Sequence, residues 1–321
     1  MSAFVKKTPT SILIFEAAAH IGRPLAEFLT REAPDLRLRP ATSSPSKKLP
    51  LQQAFPNAEV VEANYSDIAS LETAVADIEG VFVITPPGHA EKDRMTNLVA
   101  ALKQAGCVVH VIRFLGIFRE LAPSQVPASL GPGSLPIGHP IAKRILDESG
   151  LPVTYLNSGA SFMDNFWLQI RPVLAKKTLI WPEHRVPFID PRDIAQVAGR
   201  LFLSSNAKHI GALHTMNNGH DWLCFEEVAG ILSEVLSERI AYDGSYESFK
   251  RTFGPVMGPR VQLLWDSFKF EEPHEEVWAL NNFMERILGR KPTTVREWLM
   301  EHRDQLLGIR KDAARESLRV G

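Results

Sequence analysis

A chain of 321 residues, 45% of them hydrophobic, can bury a core without a covalent staple, and its length suits one large or two closely joined domains. With 36 basic against 37 acidic residues the formal charge is −1, so no overall field recruits nucleic acid or an anionic membrane, and the expected partners are small molecules or protein. Cys107 and Cys224 lie far apart in apolar surroundings, which suits a reducing compartment with no disulfide and no metal cluster, and no apolar run reaches the roughly 20 residues that span a bilayer, so a cytoplasmic protein is expected.

In chain order, SILIFEAAAHIGRPLAEFL (11–29) reads as an apolar strand over 12–15, a tight turn and an amphipathic helix from Ile21. Strands follow over 36–41 and 58–61, then a helix near 70–76, a strand over 80–84, a helix over 92–105 and a strand over 108–114. Strands alternating with helices at this spacing predict βαβ units and a doubly wound parallel sheet of the Rossmann type, an α/β fold. Residues 120–138, ELAPSQVPASLGPGSLPIG, break the pattern and read as a long loop of the size used for lids or binding loops. A helix over about 139–149 and a sixth strand in LPVTYLNSG follow. Residues 1–155 are thus expected to form a dinucleotide-binding-type domain, and 156–321 a smaller mixed α/β substrate domain interleaved with it.

The order of these pieces, with several local signatures, resembles the NmrA-like branch of the atypical short-chain dehydrogenase/reductase superfamily. The matching segments are the turn at 12–28, ANYSDIASLETAVADIEGVFVITPP (63–87), ESGLPVTYL (148–156), SFMDNF (161–166), VPFIDPRDIAQVA (186–198) and TVREWLMEH (294–302). The resemblance implies a Rossmann-type domain that in most members binds NADP(H) or NAD(H). Some members reduce quinones or other carbonyl and enone compounds, and some only sense the cofactor.

Against that pattern this chain departs at several places of one site. The glycine turn reads Glu16, Ala19, Gly22, so a carboxylate and a methyl replace the first two glycines where backbone should approach a pyrophosphate. Ser43, in ATSSP, stands where the family commonly has an arginine for the 2′-phosphate. Ala63-Asn64 replaces a Gly-Asp pair, and Leu115 a serine at the end of strand five. The expectation is therefore a site that works without a nicotinamide cofactor, with NADP as the alternative. Glu16 is read either as a surface carboxylate on a tolerant loop or as a group filling the anion site at the helix start.

For chemistry, His139 on the helix after the long loop lies near the position of a catalytic lysine in the isoflavone reductase branch, and an imidazole of ordinary pKa can donate and accept a proton near neutrality. A mere helix-capping role beside Pro140 is the alternative. Lys143 or Glu16 would assist. Thr85, Pro86, Phe114, Leu115, Asn157, Ser158, Ser161, Phe162, Met163 and Trp167 are the candidate walls of an apolar substrate pocket outside the carboxyl ends of the strands. Tyr246 and Lys250, in YESFK, match the spacing of a superfamily Tyr-Lys pair but lie in the wrong region and read as chance. Asp190 and Asp193 read as helix caps. No metal site is expected. The resulting expectation is a cofactor-independent, non-redox enzyme (isomerase, cyclase or lyase, as in natural-product tailoring) acting on a largely apolar oxygenated small molecule. The alternatives are an NAD(P)H-dependent reductase and a non-catalytic binding or regulatory protein, and a homodimer is possible.

Overall fold

The computed structural model of the protein describes residues 5–85, 91–117, 125, 135–273 and 275–308. The first unit runs β1 (Ser11–Ile14), α1 (Gly22–Glu32), β2 (Arg37–Thr42), α2 (Pro45–Ala54), β3 (Val61–Glu62), α3 (Ile68–Val75), β4 (Gly80–Val83), α4 (Glu91–Ala105), β5 (His110–Gly116), α5 (Leu135–Asp147) and β6 (Val153–Ser158). It continues through β7 (Ser161–Phe162), α6 (Phe166–Lys176), β8 (Thr178–Ile180), β9 (Arg185–Ile189), α7 (Pro191–Leu203), β10 (Leu213–Met216), β11 (Trp222–Cys224) and α8 (Phe225–Leu236). The last elements are β12 (Ala241–Asp243), α9 (Tyr246–Met257), α10 (Arg260–Glu271), α11 (Glu275–Trp278), α12 (Phe283–Leu288) and α13 (Val295–Glu301).

Seven strands make one parallel sheet in the order β10-β6-β5-β4-β1-β2-β3, which is the doubly wound arrangement the alternating pattern predicts. The chain order reverses at β1, between β2 and β4, and in such sheets the crevice beyond the carboxyl ends at that point is where ligands bind. The seventh strand, β10, comes from beyond residue 156, so the two halves of the chain share one sheet. The remaining strands form two small sheets, β11-β9-β7 and β12-β8.

Alternation along the strands sends side chains into separate cores. On β5, Ile112 and Phe114 join Ile12, Ile14 and Phe82 under α1 and α7, while Val111 and Leu115 join Leu13, Phe15 and Val83 on the opposite face. A third core gathers Met163, Phe166, Trp181, Phe188, Phe225, Phe249 and Trp298 beneath the small sheets. Helix starts follow local chemistry: Asp67 accepts from the Ala69 and Ser70 amides at α3, and Asp190 accepts from the Arg192 amide at α7. Asp193 instead anchors the later chain, accepting from Arg290 Nη2 at 2.5 Å and from the Thr293 amide at 2.7 Å.

Two local features differ from the sequence reading. Helix α2 occupies a stretch with no apolar period and an internal Pro50, so periodicity gives no signal there. Helix α5 starts at Leu135, which puts His139 in its second turn and removes the capping role that a start at 139 would give it. Tyr246 and Lys250 sit on α9, the Lys250 ammonium 5.6 Å from the Tyr246 ring, far from the sheet in sequence and outside its elements.

Helices α1 and α7 meet where Gly199 faces Phe28, and a Cβ on Gly199 would lie 2.4 Å from the Phe28 ring. Gly199→Ala is expected to cost about 1–3 kcal/mol, the usual price of overpacking, read as a lower urea midpoint with an unchanged slope.

Candidate functional site

The turn between β1 and α1 is fixed by its own backbone. Phe15 donates to the Phe82 carbonyl, Ala17 to Ala41, and Ala19 to the Glu16 carbonyl at 2.9 Å. Glu16 adopts φ 51°, in the left-handed region that favours glycine. A Cβ on Gly22 would stand 2.3 Å from the Glu16 carbonyl oxygen, so this third turn position has to be glycine for the helix to leave the strand at this angle. Helix α1 begins without a side-chain cap and without an acidic residue in its first turn; its Arg23 amide donates to the Ala19 carbonyl and Pro24 has no N–H, so at this corner the amides of Ala18, His20, Ile21 and Gly22 are the ones with no hydrogen-bond partner among the described residues. The Glu16 carboxylate reaches across to the end of β2, where Oε1 accepts from Ser43 Oγ at 3.1 Å. Asn64 closes its own turn, accepting from the Ser66 amide through Oδ1 at 2.9 Å, and the Ala63 amide donates to the Thr42 carbonyl.

Beside this turn, on the α4–α5 face of the sheet, lies a buried polar group. Arg113, on β5, is fully buried; its Nη2 donates to Thr85 Oγ1 at 2.8 Å and stands 3.4 and 3.5 Å from the Glu91 carboxylate oxygens. The Thr85 hydroxyl donates to Glu91. Arg113 Nε and Nη1, and both ring nitrogens of His139, have no hydrogen-bond partner among the described residues. His139 is 5% exposed and its Nε2 stands 3.2 Å from where a Cβ on Gly116 would be. Burial, with Arg113 nearby, pushes its imidazole down to about 3, so at neutral pH it is uncharged. The expected titration near neutrality is corrected accordingly: the ring offers one N–H and one lone pair, as a neutral hydrogen-bonding group. Tyr65, whose hydroxyl donates to the Ile84 carbonyl at 3.0 Å, is pushed well above the ordinary tyrosine range by burial, with Arg113, Glu16, Glu91 and Arg94 as the charges around it.

Lys143 lies one turn beyond His139 on α5 but is engaged elsewhere: its ammonium bonds Asp147 at 2.7 Å and lies 4.9 Å from the Tyr155 ring, whose hydroxyl also donates to Asp147.

A third feature is an apolar cleft of about 80 Å³ beyond the end of β5, walled by Phe162, Trp181, Phe225, Phe268 and Trp278, with His184 and Glu271 as its ionisable lining residues. Ser161 and Phe162 line it as the sequence suggests. The other expected walls lie elsewhere. Phe114 and Leu115 point to opposite faces of the sheet, since neighbours on a strand cannot share one face. Met163 is fully buried in the third core, and Trp167 packs on Trp298 and His302, each with ring centroids 5.5 Å away. Asn157 donates to Thr215 Oγ1 at 3.1 Å, joining β6 to β10, and Ser158 to the Ala160 carbonyl at 3.3 Å, within the turn after β6. Pro86 and most of the loop over 120–138 lie outside the described residues. Sequence reasoning missed Arg113 and Glu91, although an arginine inside the apolar strand VIRFLG was a signal, and it missed Trp181, His184 and Phe268, which reach the cleft from distant segments. The cleft is joined to the turn by His20, whose Nδ1 lies 2.6 Å from Asp164 Oδ2 while its ring meets the edge of Phe162 at 5.3 Å.

A doubly wound sheet with a helix starting at its switch point and an aromatic cleft beside it defines a Rossmann-type protein. The chain belongs to the NmrA-like family, whose profile matches residues 8–299. It is 28% identical over 192 residues to an NAD(P)H azoreductase of Xenophilus azovorans, a match covering 58% of this chain and 62% of that protein. It is 24% identical over 300 residues to a (4-alkanoyl-5-oxo-2,5-dihydrofuran-3-yl)methyl phosphate reductase of Streptomyces griseus, covering 91% and 97% of the two chains. Among solved structures, the NADPH-dependent quinone oxidoreductase of Escherichia coli, solved with NADPH, superposes with a TM-score of 0.73 at 20% identity over 90% of this chain and 99% of that one. These findings overturn the expectation of a site without a nicotinamide cofactor, since the azoreductase and the quinone oxidoreductase are named as NAD(P)H- and NADPH-dependent, and with both curated relatives named as reductases they favour the reductase alternative over a non-redox isomerase, cyclase or lyase. The departures at Glu16 and Ala19 leave the geometry of the turn in place, because its close approach rests on Gly22. Among the described residues no helix is long and apolar enough to cross a membrane, and no group of three or more His, Cys, Asp or Glu is placed to hold a metal ion.

The depressed imidazoles make stability depend on pH. His139 and the buried His110 both have folded values of about 3 against an ordinary 6.5, so the unfolded chain takes up protons first. Stability is whole above pH 6.5 and falls as the pH drops toward 3, by up to about 1.4 kcal/mol per pH unit for each group. Urea unfolding between pH 7 and 5 should show this slope, and His139→Gln should flatten it; an unchanged slope would mean that His139 protonates freely in the folded protein.

Proposed function

We propose that this protein is a nicotinamide-dependent reductase acting on a largely apolar, conjugated acceptor such as a quinone, an enone or an azo compound. The observation that carries the reading is the juxtaposition of the open N-terminus of α1 at the sheet's switch point with the aromatic cleft beyond β5. The relatives' described activities support it. The residues present fit a dinucleotide's diphosphate: a helix start free of acidic residues, and a Gly22 whose missing Cβ lets the turn close. The amides of Ala18, His20, Ile21 and Gly22, which make no hydrogen bond among the described residues, would hold it, and the elements of residues 1–155 would form most of the nucleotide side. The segments after 156 supply most of the acceptor side, and a reducing cytoplasm suits the supply of such a cofactor.

When bound, the dinucleotide supplies hydride. The chain's own residues do the rest. The walls of Phe162, Trp181, Phe225, Phe268 and Trp278 take a flat ring and exclude water. His139 stays neutral because it is desolvated beside a buried guanidinium, and a neutral ring can donate its N–H to a heteroatom of the acceptor that gains electron density. Glu91 and Thr85 hold Arg113 behind it.

Purified protein given NADH or NADPH with a panel of quinones, enones and azo dyes should oxidise the nicotinamide, read as loss of its absorbance. His139→Ala is expected to lower kcat by roughly 10²-fold or more, read well below the reduced melting temperature that truncating a buried ring causes. Phe268→Ala should raise KM for the acceptor about tenfold while nucleotide affinity stays the same. Nucleotide binding with no turnover on any acceptor would favour a sensing protein and sink the reductase reading.

A further inference from the structure

We propose that Glu16 makes this protein select NAD(H) over NADP(H), a preference that rests on the nicotinamide reading above. In a doubly wound sheet the adenosine ribose lies over the carboxyl end of the second strand. A carboxylate there accepts from the ribose 2′-hydroxyl, whereas a cation there accommodates a 2′-phosphate. In this chain β2 ends at Thr42, and the next residue, Ser43, carries no charge. The carboxylate reaches the same place from the neighbouring turn: Ser43 Oγ donates to Glu16 Oε1 at 3.1 Å.

The position of Glu16 is set by the backbone. Its φ of 51°, its carbonyl accepting from the Ala19 amide at 2.9 Å and the close approach of Gly22 hold the residue where it is. A non-glycine residue in this conformation costs free energy, so a side chain is carried here against the local preference. Oε1 is occupied by Ser43, and Oε2 makes no hydrogen bond among the described residues, which leaves an acceptor for one ribose hydroxyl.

A 2′-phosphate in that place would bring its negative charges against a carboxylate. Of the cations nearest Ser43 in sequence, Arg39 is paired with Glu59, Lys47 and Lys48 lie exposed in the first turn of α2, and none pairs with Glu16 among the described residues. Exposed charges of that kind are screened by salt, so they compensate less than a carboxylate already bonded at the strand end repels. The uncapped start of α2 acts in the same compensating direction, but its attraction is likewise confined to its first turn.

The test is calorimetric titration of the full-length protein and its variants with NADH and NADPH at moderate salt. The wild-type protein should bind NADH at least about tenfold more tightly than NADPH, the effect of one carboxylate against a phosphate in a screened setting. Glu16→Gln keeps the shape and the Ser43 contact but removes the charge, and should bring the two dissociation constants within about threefold of each other. Glu16→Gln with Ser43→Arg should reverse the order, because the added guanidinium pairs with the phosphate. Equal or tighter binding of NADPH by the wild-type protein, or a ratio that Glu16→Gln leaves unmoved, would overturn the preference and leave the reductase reading standing. Binding of neither nucleotide would overturn both.

Discussion

Everything at the carboxyl edge of the sheet depends on one close approach, that of helix α1 to the turn before it. The Glu16 carbonyl oxygen occupies the space a side chain on Gly22 would need. Because nothing is there, the chain reverses in few residues, the Ala19 amide closes on Glu16, and α1 starts directly over the switch point between β1 and β4. The turn thus brings the unbonded amides of Ala18, His20, Ile21 and Gly22 to the crevice that the sheet topology provides. The steric demand falls on Gly22, while position 16 accepts a side chain at the cost of a left-handed backbone.

The second constraint is a charge placed inside the sheet's flanking layer. Burying a guanidinium is expensive unless it is paired, and Arg113 is only partly paired: one nitrogen meets Thr85 and stands at 3.4 Å from Glu91, and two others meet no partner among the described residues. A purely structural role would be served better by an apolar side chain of the same volume. The chemical consequence is felt at His139, which this cation and its own burial hold in the neutral form. A group kept neutral in this way is a hydrogen-bond donor whose strength comes from its dry surroundings, and it does not switch off as the solution pH moves through 6.5.

Much of the architecture was legible in the sequence because it is written in periodicity. The strands of the parallel sheet are continuous apolar runs, the helices between them carry the 3.6-residue period, and the resemblance of the ordered segments led to the family. What periodicity does not encode was lost: α2 has two prolines and no apolar face, and the start of α5 lies just past a loop of Pro, Gly and Ser. The candidate site was less legible, for two physical reasons. Adjacent strand residues such as Phe114 and Leu115 were grouped by sequence proximity although the pleat sends them apart, and the cleft is built from Trp181, Phe225, Phe268 and Trp278, which only the tertiary fold brings together. The glycine motif was read as three equal positions, whereas the contacts make them unequal: Gly22 carries a steric demand, and Glu16 tolerates a side chain at the cost of a left-handed backbone.

The turn and the cleft would be of little use to each other if they could drift apart, and the contact that joins them is small and polar. His20 sits in the turn before α1, Asp164 follows β7, and their side chains meet at 2.6 Å while the same imidazole rests its face or edge against Phe162, a wall of the cleft. Phe162 in turn approaches Phe114 on β5, with ring centroids 6.3 Å apart. The pair is partly exposed, so its contribution to stability is modest, of the order of 1 kcal/mol or less for a polar contact open to solvent. Its weight is geometric. It fixes the register between an element of the first half of the chain and one of the second at the level of the crevice, so that a nucleotide held by the turn and a flat acceptor held by the aromatic walls would share one frame. Hydride transfer tolerates little misplacement of the reacting atoms, and a fold that splits its two binding surfaces between halves of the chain needs such a cross-link near the chemistry. Sharing the sheet through β10 supplies the coarse alignment, and the His20–Asp164–Phe162 contact refines it where the two ligands would meet.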